Sequence, residues 1–219
     1  ANLIERTPRS RLGKICFIFF IFLSLLATLL YTLPMFYDGF YGQLNSTFYP
    51  EIYQKVNDYL NQDKSEFNIL YFPWHGYMDY KWSKQRLQAV GFAVFNKPVI
   101  QGSDPIAHVS HPVHEYITFL LNNQRNIRNF GELVSLINVK YIIIDKTSLA
   151  PKQPYEFLYK QDDLEVVMDS DLAVFKNKVK IAKIYQTNSL LTINNWSDLL
   201  TENISQEKLS LDYEKKSPV

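Results

Sequence analysis

The stretch Val139-Lys140-Tyr141-Ile142-Ile143-Ile144-Asp145 decides the fold of this chain. It is a short, almost wholly apolar run, which is typical of a β-strand covered on both faces. The residues before it predict a short helix, because Asn129 and Glu132 have capping-box spacing and Asn138 is suited to end a helix in the left-handed conformation. A helix that leads directly into such a strand is typical of an α/β layer with buried parallel strands.

Two strands and two amphipathic helices are predicted upstream of this stretch. Phe67 to Phe72 predicts a buried strand that Pro73 stops, and a second strand is predicted over Pro98 to Gln101. One helix is predicted from Pro50 to near Asn61, and Pro112 opens the clearest helix in the chain. The apolar stripes of the two helices are Ile52, Val56, Tyr59 and Leu60, and Val113, Tyr116, Ile117, Leu120 and Leu121.

The last third of the chain predicts a β-hairpin and then a polar segment. Leu164 to Met168 and Leu172 to Phe175 are short apolar strands joined by Asp169-Ser170-Asp171. Val179 to Tyr185 is a candidate for one more strand. Residues 186–219 are dominated by Ser, Thr, Asn and Gln, and we interpret them as a polar linker or the start of a further β domain.

The composition excludes several classes of protein. The 219 residues are 47% apolar and 21% charged, which excludes a disordered chain. Lys and Arg number 23 against 22 Asp and Glu, so no bulk basic surface points to a nucleic-acid partner. The single cysteine, Cys16, excludes an intrachain disulfide.

Ile15 to Leu33 is an uncharged apolar block, and the uncharged stretch continues to Tyr37. At about 1.5 Å per residue a helix of this length spans the roughly 30 Å hydrocarbon core of a bilayer. A cleaved signal peptide is the alternative, but the bulky aromatic exit, Pro34 to Tyr37, lacks the small residues of a cleavage site. We therefore predict a membrane-spanning helix over residues 15–37, with the bilayer as a partner.

The charges around this block predict its orientation. Residues 1–14 form a basic flank, whereas no Lys or Arg follows the block until Lys55. The positive-inside rule then places residues 1–14 in the cytoplasm and residues 38–185, an α/β domain, outside the cell membrane. Three glycosylation sequons lie on the predicted outer side, at Asn45, Asn195 and Asn203. The predicted fold class is α/β: one N-terminal transmembrane helix, then a small layered α/β domain with a C-terminal β-hairpin.

The aromatic loop, residues 73–82, is the candidate binding site. It follows a buried strand at its carboxyl end, where open α/β sheets place their ligands. Flat aromatic faces beside polar side chains suit a sugar ring, and such a loop is equally suited to a local core or to contact with a membrane surface or partner domain. The candidate substrate-binding residues are Trp74, His75, Tyr77, Asp79, Tyr80 and Trp82.

Other motifs have plainer interpretations. Asp169-Ser170-Asp171 matches the Asp-x-Asp metal motif, but the same residues favour a hairpin turn. His108, His111 and His114 have a spacing that could hold zinc, but Pro112 interrupts the run and a solvated helix entry is favoured. Asp145 ends its strand and could be catalytic by position, but a lone carboxylate there is more often a turn former. We predict no catalytic residue, no metal site and no cofactor.

The order of these elements resembles a known class of membrane protein. The pieces that carry the resemblance are Pro73-Trp74 after a strand, Lys97 to Ile100, Leu136 to Ile143 and Leu172 to Asn177. Together they resemble the extracytoplasmic domain of multi-pass proteins similar to C-type glycosyltransferases, which use polyprenyl-phosphate sugars, and to the family that glycosylates lipoteichoic acid. In those proteins the catalytic acidic residues lie in loops between earlier membrane helices, so the resemblance assigns no catalytic residue here.

Two hypotheses of function follow. The first is an extracytoplasmic accessory domain of a membrane-embedded glycosyltransferase-like protein, which positions an acceptor or packs over the membrane part. Its expected partners are other membrane helices or subunits and a glycan or lipid-linked sugar. The alternative is a single-span structural or interaction subunit of a membrane or cell-surface complex.

Overall fold

The structure is a computed structural model. It describes residues 10–37, 46–88, 90–102, 111–150, 153–181 and 195–201. The chain divides into two compact units, Ala1–Phe48 and Tyr49–Val219.

The first unit contains helix α1, Arg11–Phe36. Its first turn is capped by Ser10, whose Oγ accepts a hydrogen bond from Gly13 N at 3.1 Å. The hydroxyls of Ser24 and Thr28 donate to backbone carbonyls of the same helix, each at 2.9 Å, so they add no unpaired donor to its apolar surface. Among the described residues α1 is the one helix long and apolar enough to cross a membrane. The predicted N-terminal apolar helix is confirmed.

The second unit contains the remaining elements. Its helices are α2 (Glu51–Gln62), α3 (Val90–Val94), α4 (Pro112–Asn122), α5 (Phe130–Ser135) and α6 (Asp198–Thr201), with 3-10 turns at Gln124–Asn126 and Gln153–Lys160. Its strands are β1 (Asn68–Phe72), β2 (Tyr77–Met78), β3 (Leu87–Gln88), β4 (Val99–Gln101), β5 (Val139–Asp145), β6 (Leu164–Asp169) and β7 (Leu172–Asn177).

Five strands form one mixed sheet in the order β4-β1-β5-β7-β6. Strand β1 is parallel to both of its neighbours, so that Tyr71 pairs with Gln101 of β4 and with Ile143 of β5. Strand β7 is antiparallel to β5, and β6 and β7 form the C-terminal hairpin. The predicted α/β class, with buried parallel strands and a terminal hairpin, is confirmed.

Both faces of the sheet are covered, because successive side chains of β5 point to opposite sides. Tyr141 and Ile143 belong to a core that also contains α2. Ile142 and Ile144 belong to a second core that contains α4 and α5. The unit is therefore a three-layer sandwich, which explains why β5 is apolar along nearly its whole length.

The cap of α5 differs from the prediction, although the helix itself is present. Asn129 makes no capping hydrogen bond, and its Nδ2 instead donates to Glu132 Oε2 at 2.9 Å. The backbone amide of Glu132 donates to Asp163 Oδ2 at 2.7 Å. A carboxylate from a distant segment thus replaces the local cap. Asn138 ends the segment with a φ of 60°, as predicted.

The end of the chain is described only in part. A strand is predicted over Val179 to Tyr185. Residues 179–181 are described and are not in a strand, and the rest of this segment, from residue 182, lies outside the described residues. Within the predicted polar linker, 186–219, the described piece contains α6, and Trp196 packs on Tyr116 with ring centroids 5.1 Å apart. This piece of the linker therefore lies against the α4 layer.

Candidate functional site

The carboxyl ends of β1, β4 and β5 meet at one end of the sheet, which we call the carboxyl edge. From β1 the chain moves outward to β4 and then crosses back to β5 on the other side of β1. The switch point between β1 and β5 is where an open α/β sheet places its ligand crevice. The aromatic loop and residues 146–150 are the segments that leave the two strands at this point.

These two segments pair with each other across the switch point. Leu149 N donates to Asp79 O at 2.8 Å, and Lys81 N donates to Thr147 O at 3.0 Å. Between these bonds Tyr80 and Ser148 form an antiparallel bridge. The position that holds a ligand in many α/β folds is therefore occupied by the protein's own backbone.

The end of β4 is fixed against the same loop. Gln101 Nε2 donates to His75 O at 3.3 Å. A Cβ atom at Gly102 would lie 2.5 Å from His75 N, so only glycine fits this close approach. The end of β4 is thus held against the loop after β1 at the carboxyl edge.

A fully buried carboxylate lies beneath these loops. Asp145, the last residue of β5, has 0% exposure. Its Oδ2 accepts hydrogen bonds from the hydroxyls of Tyr53 and, at 2.5 Å, Tyr71. Its Oδ1 accepts from Thr147 N at 2.9 Å and from Thr147 Oγ1 at 2.6 Å. All four donors point at the acid, so Asp145 acts as an internal connector.

The tyrosines around Asp145 are held in the protonated, donating form. Burial raises the pKa of Tyr53 and of Tyr71, and the negative charge of Asp145 raises both further. Burial and the same charge also raise the pKa of Tyr80. The Tyr80 hydroxyl has no hydrogen-bond partner among the described residues. The cluster therefore offers hydrogen-bond donors to Asp145 and no nucleophile to solvent.

Trp82 and Tyr80, two of the predicted site residues, point into the core on the α2 face. The Trp82 ring lies 5.1 Å from Tyr80 and 5.6 Å from Tyr53 between centroids, and its Nε1 donates to Thr147 Oγ1 at 2.9 Å. Tyr80 is 2% exposed. This pair packs around the Asp145 cluster.

Trp74 lies on the opposite face of the sheet, with α4. Its Nε1 donates to Thr118 Oγ1 at 3.2 Å, and its backbone amide donates to the Tyr155 hydroxyl at 2.7 Å. Its ring lies 5.2 Å from that of His114. Because Trp74 and Trp82 belong to cores on different faces, they do not form one platform for a sugar ring.

The other three predicted residues lie on the surface. His75 and Tyr77 are exposed, with Tyr77 at 46%. Asp79 is paired with Arg86 at 2.8 Å, and the Arg86 hydrogen bond holds the pKa of Asp79 below its usual value. The six residues share one loop, but their side chains do not line one common pocket. Sugar binding by them stays a prediction.

Sequence reasoning missed the partners of Asp145. Tyr53 was placed on no predicted apolar stripe, and Tyr71 is one of several aromatic residues in its strand. One signal for the cluster was available in the sequence. Thr147 follows Asp145 by two residues, and an aspartate at a strand end often accepts a hydrogen bond from the backbone amide two residues later. The short ribbon of β2 and β3 also gave no periodic signal, because each strand has two residues.

The remaining motifs fall at the ends of helices and in a turn. The side chain of His111 caps α4 by accepting from Val113 N at 3.3 Å. His108 lies outside the described residues. Asp169 begins the hairpin turn, where it pairs with Lys146 and accepts from the Tyr159 hydroxyl at 2.9 Å. Within the described ranges no cluster of three or more His, Cys, Asp or Glu residues is arranged to hold a metal.

A second concave surface lies away from the carboxyl edge. It is a groove of about 850 Å³ between the two 3-10 turns. Its lining mixes cations with acids, so it has no single charge that would select a ligand. The lining residues are Gln124, Arg125, Ile127, Arg128, Glu156, Phe157, Lys160, Gln161 and Asp162.

One of the three sequons is described. Asn195 is exposed, and its Oδ1 accepts hydrogen bonds from the amide of Ser197, at 2.9 Å, and from its hydroxyl. Asn45 and Asn203 lie outside the described residues. Glycosylation at all three positions stays a prediction.

Comparison with known proteins gives a structural likeness without a sequence family. The sequence matches no known family and no curated protein. The fold is similar to part of the arabinofuranosyltransferase AftD from mycobacteria, with a TM-score of 0.53, 12% identity, and coverage of 82% of this chain and 16% of AftD. A mutant form of AftD gives a TM-score of 0.54 and 11% identity, over 80% and 16% of the two chains. This chain therefore shares the fold of a small segment of a much longer glycosyltransferase.

Proposed function

We propose that this chain is an extracytoplasmic accessory domain of a membrane-embedded glycosyltransferase-like protein. The observation that carries the proposal is the likeness of its fold to a segment of AftD, in a chain that also has a helix of membrane-spanning length. In this proposal α1 anchors the chain in the cell membrane with its basic flank in the cytoplasm. The α/β unit then lies outside, where lipid-linked sugars are used.

The side chains at the carboxyl edge support an accessory role. A domain that performed glycosyl transfer would need an accessible acid or base. Asp145 is buried beneath four donors, and Asp79 is paired with Arg86. Asp145 and Asp79 are thus engaged in structure, which supports an accessory role with the transfer chemistry in another part of the system.

Packing over the membrane part is the role that the aromatic residues favour. Trp74 and Trp82 are engaged in cores on opposite faces, so both ends of the loop are packed against the sheet. Among the six candidate residues, His75 and Tyr77 are the exposed ones, available for contact with an acceptor or a lipid-linked sugar. The domain would therefore guide a substrate by shape and surface rather than enclose it.

The test compares sugar transfer in membranes whose chain carries a folded or an unfolded domain. Membranes from source cells with Ile143→Asp, which breaks the central strand, are compared with wild type and with Val166→Asp, which changes an exposed position of β6. Each receives a panel of radiolabelled polyprenyl-phosphate pentoses and hexoses, arabinofuranose included. Immunoblots confirm equal amounts of chain in the membrane.

We expect Ile143→Asp to lose transfer of one donor sugar to the cell-surface acceptor, while Val166→Asp keeps it. Equal transfer in all three membranes, with equal amounts of chain, would contradict a role in sugar transfer and favour the alternative of a structural or interaction subunit.

A further inference from the structure

The chain enters the α/β unit at the carboxyl edge. Tyr49, the first residue of the unit, packs on Trp82 with centroids 5.4 Å apart, and α2 starts two residues later. Twelve residues separate Phe36, the end of α1, from Tyr49. Fully extended, they reach about 45 Å. If α1 lies in a bilayer, the carboxyl edge is the end of the domain at which the chain from the membrane arrives.

Exposed apolar side chains gather at this same end. Leu149 is 63% exposed, Phe92 58%, Tyr77 46% and Tyr49 42%. Leu149 is held by its bond to Asp79, and Phe92 follows Gly91, whose amide donates to Gln101 at the end of β4. In the described part of the α/β unit, the other exposed large apolar residues are Tyr159 and Val166.

The opposite end of the sheet has a different character. There Lys140 pairs with Asp63 at 2.7 Å, and Lys97 Nζ donates to the carbonyls of Asp63, at 2.8 Å, and Ser65, at 3.1 Å. The polar loop at this end, residues 61–66, has no large apolar side chain that is exposed. The two ends of the sheet thus differ: the carboxyl edge carries exposed apolar side chains beside its charged pairs Asp79–Arg86 and Lys146–Asp169, whereas the 61–66 loop at the amino edge is polar.

We infer that the carboxyl edge rests on the headgroup layer of the bilayer that holds α1, through Tyr49, Tyr77, Phe92 and Leu149, the membrane-facing surface. Tyrosine prefers the membrane interface, and apolar side chains enter the boundary between headgroups and acyl chains. Exposed Lys81 and Lys84 lie in the same segment and add attraction to anionic lipids. This chemistry, together with the entry of the chain from α1 at the same edge, selects a lipid surface as the occupant.

This inference rests on the proposed function because it requires α1 to be inserted in a membrane. It deepens that proposal by naming the surface of the domain that faces the lipid. It places His75 and Tyr77 at the level of the lipid headgroups. The phosphate and sugar of a polyprenyl-phosphate sugar lie at that level, so the surface would keep the domain in register with a membrane-bound donor.

The test measures the depth of single labels on the full chain in nanodiscs of phosphatidylcholine and phosphatidylglycerol. A fluorophore is attached to a single cysteine in a Cys16→Ser background, at Leu149→Cys or Phe92→Cys. Val166→Cys is the matched control, because Val166 has similar exposure, 45%, on the edge strand β6. Emission is quenched either by nitroxide-headgroup lipids or by aqueous iodide. Both faces of a nanodisc are open to iodide, so orientation does not affect the result.

We expect the labels at Leu149→Cys and Phe92→Cys to be quenched several-fold more by nitroxide lipids than the Val166→Cys label, and several-fold less by iodide. Replacing both Lys81 and Lys84 by Glu should reduce this difference, and circular dichroism should show an intact fold. Labelling native Cys16 of the wild-type chain reports separately on α1. If the Cys16 label is quenched by lipid while the edge labels match Val166→Cys, the inference is overturned and membrane anchoring stands. If the Cys16 label is not quenched by lipid either, the anchoring on which the proposed function depends fails as well.

Discussion

At the scale of single residues, Asp145 joins three parts of the α/β unit through one carboxylate. Tyr53 comes from α2, Tyr71 from β1, and Thr147 from the loop after β5. Hydrogen bonds to a charged group contribute more than neutral ones, and a buried charge that loses its donors is strongly destabilising. The cluster therefore fixes α2 and the loop after β5 against the sheet.

Asp145→Asn should lower the free energy of unfolding by about 2 to 4 kcal/mol, because an amide of the same shape carries no charge and adds donors where donors already converge. Urea unfolding of the full chain in detergent micelles, followed by tyrosine and tryptophan fluorescence, measures the loss. Asp79→Asn is the matched control: it breaks an exposed pair with Arg86 and should leave stability almost unchanged. Equal effects of the two changes would argue against the cluster.

The Tyr80 hydroxyl gives a second prediction at this scale. It is buried without a hydrogen-bond partner in the described chain, so Tyr80→Phe removes an unpaired polar group and should leave the melting temperature unchanged or raise it. Tyr71→Phe removes the same atom from a tyrosine that donates to Asp145 and should cost about 2 kcal/mol. Thermal melting of both variants in micelles decides the matter. A larger loss for Tyr80→Phe than for Tyr71→Phe would refute this account.

At the scale of elements, β5 is the centre of the sheet. Ile143 is fully buried and pairs with Tyr71 of β1 on one side and with Val174 of β7 on the other. Ile143→Asp should unfold the unit, because an unpaired buried carboxylate costs several kcal/mol, on the order of the whole stability of a domain. Near-UV circular dichroism measures the loss of packing. Val166→Asp, on the outer strand β6, should keep the native spectrum, and a native spectrum for Ile143→Asp would mean that β5 is not central.

The link between α2 and β1 makes stability depend on pH. Burial by itself raises the pKa of Asp63, but hydrogen bonds from Lys140, from Ser65 and from Tyr141 outweigh it and hold the pKa well below its usual value. A depressed carboxyl pKa gives stability that is complete above the unfolded value of about 4 and is lost as the pH falls towards the folded value. Melting temperatures between pH 6 and about pH 2 should therefore fall at acid pH. Asp63→Asn should be less stable near neutrality and show a shallower acid dependence, whereas an unchanged acid slope would contradict this role.

The elements were predictable where their signal is local. Strands β1 and β5 are short apolar runs, α2 follows Pro50, and α4 begins at Pro112. Both helices carry apolar stripes, so segments of 5 to 12 residues carry the evidence for these elements. The site was less predictable, because the placement of Trp74 and Trp82 on opposite faces depends on how residues 79–81 pair with 147–149. The cap of α5 likewise depends on Asp163, which accepts a hydrogen bond from the backbone amide of Glu132, 31 residues away. Contacts at such separations leave no periodic trace in the sequence.

At the scale of the whole molecule, the sequence predicts the orientation of α1, which chemical labelling can test. In a Cys16→Ser background, Lys84→Cys should react with a membrane-impermeant maleimide on intact cells, whereas Ser10→Cys should react only after permeabilisation. The reason is the basic flank before α1, which favours the cytoplasmic side. Both positions are exposed, so access is set by the membrane. The reverse labelling pattern would invert the topology.

The place of β5 in the sheet also has a consequence for synthesis. Its partner β1 is made about 70 residues earlier, while β7, which covers its other side, is made last of the three. A chain whose synthesis has reached Asp145 but not Asn177 therefore exposes a long apolar strand with unpaired backbone groups, the kind of edge at which chains join one another. That edge stays open for the time needed to synthesise some 30 further residues. Stalled or nicked chains that end between β5 and β7 should be the aggregating species.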